Sequence, residues 1–264
     1  MTEPLLIVEN IHKEFFSPGS KEKLSVLQDV SLSVDKGEIV GVLGPSGCGK
    51  TTLLNLVAGF DVPLKGQITF NGKEVTGPSA SRGVAFQEPA LFPWLTVREN
   101  VGFGLQIRKE KKETKEKTVQ QFIDIVGLKG FEDYYPDQLS GGMQQRTALA
   151  RVLVMQPEAL LMDEPFAALD AQTRMQMQQL LLSLSRQFHP AIFFITHDIE
   201  EALFLADRIF VLTPRPGRVS REVHVPFSGH KALSLYRDKE FMELKGEILE
   251  SMGLNLTTDP KASP

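Results

Sequence analysis

"EIVGVLGPSGCGKTTLLNLVAGF", Glu38 to Phe60, decides the fold. It opens with an almost wholly apolar run, "EIVGVLG", which reads as a strand buried in a sheet. It closes with "KTTLLNLVAGF", whose apolar residues recur at helical spacing. Between them lies "GPSGCGKT", Gly44 to Thr51, a fit to G-x-x-x-x-G-K-[ST] with a strand before and a helix after. Gly44, Gly47 and Gly49 let the backbone turn tightly through positive φ. The loop N–H groups of Pro45-Ser46-Gly47-Cys48-Gly49 can then converge on phosphate oxygens, Pro45 excepted because it has none. The positive end of the following helix, with Thr51 and Thr52 in its first turn, adds to this. Lys50 is placed to reach β- and γ-phosphates, and the Thr51 hydroxyl to ligate Mg²⁺.

Outward from this loop the chain alternates strands and helices. "LLIVENI" and "SVLQDVSLSV" read as strands ahead of it. "GQITFNGKEV" behind it carries Asn71-Gly72 between β-rich runs, a strong hairpin signal. "GVAFQ" is a further short strand. From about residue 88 to 140 the texture changes to Pro-broken aromatics and then "RKEKKETKEKTVQQFIDIVG". This is a helix with a solvated charged front, supported by pairs such as Glu113–Lys117, and an apolar side of Val119, Phe122, Ile123 and Val126. The region reads as an inserted helical subdomain. The α/β alternation then resumes: a helix over about 142–155, the strand "EALLMDEP", a helix over about 171–188, the strand "AIFFITH", the helix "IEEALFLA" and a hairpin-like pair, "RIFVLTPRPGRVSREVHV". Residues 231–264 read as a short extension of one or two amphipathic helices and a frayed tail, "TTDPKASP", behind a main domain of about 1–230.

The totals exclude several classes. The chain has 264 residues, enough for a substantial core. Its net charge of -4 lacks the basic surplus of a nucleic-acid coat. One cysteine, Cys48, allows no intrachain disulfide and suits a reducing compartment. The N-terminus reads as neither a secretory signal nor a transit peptide. No stretch approaches the roughly 20 apolar residues of a membrane span.

Two acids, Asp163 and Glu164, follow the apolar strand "ALLM", at the carboxyl end where open α/β sheets present ligand-binding groups. Asp163 is placed to hold Mg²⁺ and Glu164 to orient or deprotonate an attacking water. Alone, such a pair is as often a solvated strand end or a helix cap. His197 follows another apolar strand, and Gln87 ends "GVAFQ"; on their own both are as readily structural.

The ordered set resembles the ATP-binding subunit of an ATP-binding cassette (ABC) transporter: "GPSGCGKT" (Walker A), Gln87 in "VAFQEPALFPW" (Q-loop), "LSGGMQQR" (signature), "LLMDEP" (Walker B), "AALD" (D-loop) and "ITHD" (switch histidine). The resemblance covers roughly residues 5 to 225. It implies an α/β P-loop ATPase core with an N-terminal antiparallel β subdomain and an inserted α-helical subdomain. It implies that Gln87 senses metal and the transporter subunit, Glu164 serves as catalytic base and His197 contacts the γ-phosphate. It implies an adenine-stacking aromatic after the first strand, Phe15 with Phe16 as second choice. Ser140, Gly141 and Gly142 would reach the γ-phosphate held by a second copy, with Asp170 near the seam. ATP and Mg²⁺ are the implied cofactors.

"LFPWLTVRENV", with "LMDEPFAALDAQTR" and "LTPRPGRV", resembles the nitrate/sulfonate/taurine importer group. That implies two copies of this subunit on the cytoplasmic face of the membrane, two transmembrane permease subunits and, indirectly, an extracytoplasmic solute-binding protein, with no nucleic acid. Phe92 and Trp94 read either as a locally packed pair or as a docking surface for a permease helix. The competing readings are an exporter cassette and a soluble ABC ATPase of DNA repair or chromosome organisation. Only about 50 residues separate Gln87 from Leu139, too few for the long coiled coil of the latter. Because Cys48 lies within the phosphate loop, a thiol reagent is expected to block nucleotide binding by bulk.

Overall fold

A computed structural model describes residues 3–16, 22–227 and 233–252. The buried run after Glu38 forms β3 (Ile39–Leu43) in the middle of a mixed sheet. The elements around it are β1 (Leu6–Phe16), β2 (Lys23–Val34), α1 (Lys50–Ala58), β4 (Lys65–Phe70), β5 (Lys73–Glu74), β6 (Arg82–Ala85), α2 (Val97–Ile107), α3 (Lys112–Ile125), α4 (Gly141–Leu153), β7 (Ala159–Asp163), α5 (Ala171–Phe188), β8 (Ala191–Thr196), α6 (Ile199–Leu205), β9 (Arg208–Leu212), β10 (Val219–His224) and α7 (Lys239–Ser251). The six-stranded sheet runs β10-β9-β3-β8-β7-β6, parallel except for the edge strand β10. The second sheet, β2-β1-β4-β5, is antiparallel throughout.

Alternation along β3 shows why the large sheet is buried on both faces. Val40 and Val42 join a core with Leu53, Leu54 and Val57 of α1 and with the apolar faces of β1 and β2. Ile39 and Leu43 join the other core, where Phe194 and the helices from α2 to α7 pack. The large sheet is therefore a partition between two cores. Its carboxyl ends carry the P-loop after β3, His197 after β8 and Asp163–Glu164 at β7, on three neighbouring strands.

Asn71 and Gly72 both take positive φ (52° and 69°), as the hairpin between β4 and β5 requires. On α3 the apolar side is buried at Val119, Phe122 and Ile123. The ion pair on its exposed front is Lys112–Glu116 at 3.9 Å. The periodicity does not announce α2, yet its start was legible. Thr96 Oγ1 accepts from Glu99 N, and Thr96 N donates to Glu99 Oε2 at 2.9 Å, a capping box written as T-V-R-E. At the C-terminus a 3₁₀ turn (Leu233–Arg237) precedes α7, whose Phe241 and Ile248 are buried. The tail "TTDPKASP" lies outside the described residues.

Candidate functional site

The loop between β3 and α1 wraps back on itself. Gly47 and Gly49 take φ of 76° and 108°, while Gly44 does not take positive φ. Gly44 is required for space instead: a Cβ there would lie 2.8 Å from Cys48 Sγ and 3.2 Å from Leu212 Cβ. Lys50 is buried, and its Nζ donates to the carbonyls of Gly44 (2.8 Å) and Pro45 (3.2 Å). The N-terminus of α1 has neither a side-chain cap nor an acid in its first turn, so its N–H groups are left for an anion. Ser46 and Thr51 are exposed, and Thr52 is half-buried.

Cys48 departs from the sequence expectation. Its thiol is buried in the core with α1, and burial pushes its pKa up against the opposing effect of Lys50. A reagent meets no exposed thiol here, so the block by bulk does not follow.

Across from the loop, Asp163 Oδ1 accepts from Thr51 Oγ1 at 3.4 Å. Burial pushes the Asp163 carboxyl up, the Thr51 hydroxyl opposes this, and the charge of Glu164 adds to the rise. Glu164 sits at φ 42°, a left-handed conformation that disfavours a side chain, and its N–H donates to Ile195 O at 3.0 Å. That turn aims its Oε2 at His197 Nδ1, 3.1 Å away. One carboxylate beside the loop thus pairs with a hydroxyl. The other pairs with an imidazole.

Of these, Thr51 and Glu164 border a cleft of about 350 Å³, while Asp163 and His197 stand behind its wall as their partners. Ser46, Gly47, Gly49, Lys50, Thr51, Thr52 and Glu164 line it, and Phe15 closes the far end. Phe15 is 42% exposed with Lys13 Nζ 5.1 Å over its ring; Phe16, 70% exposed, is not on the cleft. Arg215 is also on the wall, its Nε and Nη2 donating to Gly47 O at 3.0 and 2.8 Å. Sequence reasoning missed it. Arg215 lies 168 positions from Gly47, and only the folded β9–β10 hairpin joins them.

Ser140, Gly141, Gly142, Asp170 and Gln87 do not line this cleft. Ser140 is exposed and caps α4, its Oγ accepting from Met143 N at 3.4 Å. A Cβ on Gly142 would lie 2.6 Å from Thr173 Cγ2, whereas one on Gly141 would meet nothing within 4 Å. Gln145 of the same stretch is buried and donates to Pro165 O at 2.7 Å, tying α4 to the loop after β7. Asp170 caps α5 by accepting from Gln172 N and Thr173 N, and the Thr173 hydroxyl first, then these N–H groups, hold its carboxyl below the ordinary range. Gln87 is exposed, two residues beyond the end of β6.

The family model described as ABC transporter matches residues 27–167. The chain belongs to the ABC transporter family. A taurine import ATP-binding protein of Roseobacter denitrificans is 50% identical over 84% of this chain and 83% of its own. A nitrate import ATP-binding protein of Synechocystis is 43% identical over 87% and 89%. An uncharacterized ABC transporter ATP-binding protein of Methanocaldococcus jannaschii is 48% identical over 94% of each. Among solved structures, a dimeric ATP-binding cassette in a post-hydrolysis state, bound to ADP and Pi, is 30% identical with a TM-score of 0.72, over 83% of this chain and 98% of the other. A cassette of Clostridium perfringens, part of an ABC transporter complex, is 28% identical with a TM-score of 0.77, over 96% and 98%. The cassette fold is therefore shared over most of the chain.

Proposed function

We propose that this chain is the ATP-binding and ATP-hydrolysing subunit of an ABC importer for nitrate, a sulfonate, taurine or a related small solute. One observation carries the reading: a phosphate loop with a buried lysine shares a single cleft with Thr51 and Glu164, which pair in turn with Asp163 and His197. The triphosphate enters the loop, where Lys50 and the N-terminus of α1 meet its charge. Phe15 offers a ring face to the adenine. Thr51, Asp163 and, from its exposed loop, Gln87 form the donor set for Mg²⁺. Hydroxyl, carboxylate and amide oxygens suit that hard cation, and the two nearest lie 3.4 Å apart. Held by these oxygens, the ion would supply neutralisation of the phosphate charge. Glu164 takes the proton of the attacking water, and His197, held beside it, contacts the γ-phosphate.

The remaining motif residues act across a pair of subunits. Ser140 and Gly141, exposed, and Gly142, half-buried, are anion-binding parts at the start of α4, away from the cleft of their own chain. In a head-to-tail dimer they close on the γ-phosphate of the partner, with Asp170 at the seam. Loss of that phosphate opens the pair. Exposed aromatics near the Q-loop supply the surface for a permease helix. Trp94 packs on Phe92 at 5.7 Å yet stays 70% exposed, and Phe60 stacks on Phe86 at 6.1 Å with both half-exposed. No helix among the described residues is long and apolar enough to cross a membrane, consistent with a peripheral subunit on the cytoplasmic face, beneath permeases served by a solute-binding protein. Solute identity resides in those other subunits.

Two variants test the reading. Glu164→Gln is expected to bind ATP and lose most hydrolysis; turnover at the wild-type rate would remove the base from Glu164. Ser140→Arg is expected to leave ATP binding by the monomer intact and to abolish ATP-driven dimerisation on a sizing column. Dimers forming as in the wild type would refute the two-chain site.

A further inference from the structure

One carboxyl next to the site has no part in the mechanism above. Glu201, the third residue of α6, is only 4% exposed, and its Oε1 has no hydrogen-bond partner. Its surroundings come from four elements. Thr196, at the end of β8, is buried, with its hydroxyl beside the Glu201 carboxyl. The same Thr196 hydroxyl accepts from Asp198 N at 3.0 Å. Asp198 caps α6, its Oδ1 accepting from Glu200 N (2.9 Å) and Glu201 N (3.1 Å). From α5, Arg174 places Nη1 3.6 Å from Asp198 Oδ2, gives Nη2 to Leu169 O and keeps its buried Nε without a partner. Glu164 approaches from the end of β7, while Tyr236, ahead of α7, faces the same acids and Lys245 is committed to Glu200 at 2.6 Å.

The bond from Asp198 N to Thr196 Oγ1, and the approach of the Glu201 carboxyl to the same hydroxyl, bracket a single residue, His197. We propose that Glu201 is a positioning residue for ATP hydrolysis: buried against Thr196, it anchors the turn that sets His197 against Glu164. The inference rests on the hydrolytic reading given above. The chemistry is consistent with a retained proton. A buried carboxylate without a cationic partner at bonding distance is costly. Burial first, then the like charge of Asp198, push the Glu201 carboxyl up to about 8, with Glu164 adding to the rise and with Thr196 and Arg174 opposing it. Below that range the group is neutral and fits its site. Above it, a third negative charge stands beside Asp198 and Glu164, the turn loosens, and the Glu164–His197 contact is lost.

The test is the pH profile of ATP hydrolysis by the full chain at saturating ATP and Mg²⁺, from about pH 6.5 to 9.5, each protein normalised to its own rate at pH 7. The wild-type rate is expected to fall several-fold through pH 8. Glu201→Gln, which keeps the shape and cannot ionise, should lack that alkaline fall. Asp198→Asn retains the cap through its Oδ1 but removes a like charge from Glu201. Its alkaline fall should therefore begin at lower pH. A residue that merely fills space moves neither limb. Superposable profiles for Glu201→Gln and wild type would overturn the proposal, as would an Asp198→Asn limb that is unmoved or raised. No hydrolysis by the wild type at any pH would instead remove the ATPase reading, and the role of Glu201 with it.

Discussion

Gly47 and Gly49 both have positive φ, but substitution separates them. At Gly49 (φ 108°, ψ 11°) a Cβ would lie 2.7 Å from Leu27 Cδ2, 3.1 Å from Val26 Cγ1 and 3.2 Å from Val26 O. The last is backbone of β2 and cannot swing aside. At Gly47 (φ 76°) the nearest atom is Arg215 Nη2 at 3.3 Å, the end of an exposed, flexible side chain. The left-handed backbone alone costs an alanine about 1–2 kcal/mol. Forcing a methyl into packed surroundings adds about 1–3 kcal/mol. Gly49→Ala carries both terms, for about 2–5 kcal/mol; Gly47→Ala carries the first alone. At roughly 2–4 °C per kcal/mol for a chain of this size, Tm falls by about 4–20 °C for Gly49→Ala and about 2–8 °C for Gly47→Ala. Thermal denaturation followed by circular dichroism, without nucleotide, measures both. An equal or larger loss at Gly47 would refute the steric argument and leave backbone strain as the only difference between glycine and alanine here.

Phe15→Ala should raise the Kd for ATP roughly 5- to 150-fold, the worth of one base-on-aromatic stack, while Phe16→Ala changes it less than about twofold. Equal effects in fluorescence titrations would remove Phe15 from the adenine site. Cys48 should react with iodoacetamide at least about tenfold more slowly in the folded chain at pH 8 than in urea, because only the thiolate attacks and burial pushes its pKa up. Matching rates would show that the thiol is open.

The large sheet was legible because "EIVGVLG", "ALLM" and "AIFFI" are strand-length apolar runs, and a run buried on both faces has few other homes. The loop chemistry was legible because G-x-x-x-x-G-K-T needs its residues consecutive. What escaped depends on partners distant in sequence. Gly44 is small because Leu212 and Cys48 crowd it, not because of its φ. Arg215 reaches Gly47 only once β9 lies beside β3. Phe15 and Phe16 are indistinguishable as letters; on β1, where they pair with Leu24 and Lys23, they differ because adjacent strand residues face opposite sides. Glu201 reads as an ordinary solvated acid beside Glu200 until α6 is seen turned against β8 and α5.

Lys50 already has oxygen partners within its own loop, the carbonyls of Gly44 and Pro45. A phosphate oxygen arriving there replaces bonds instead of adding them, so its binding energy is a difference between two acceptors. When the phosphate leaves, the ammonium returns to the carbonyls and no buried cation is stranded. The loop is thereby suited to repeated exchange: nucleotide can depart without unfolding the segment that held it, and a subunit that must discard ADP every cycle avoids a product trap.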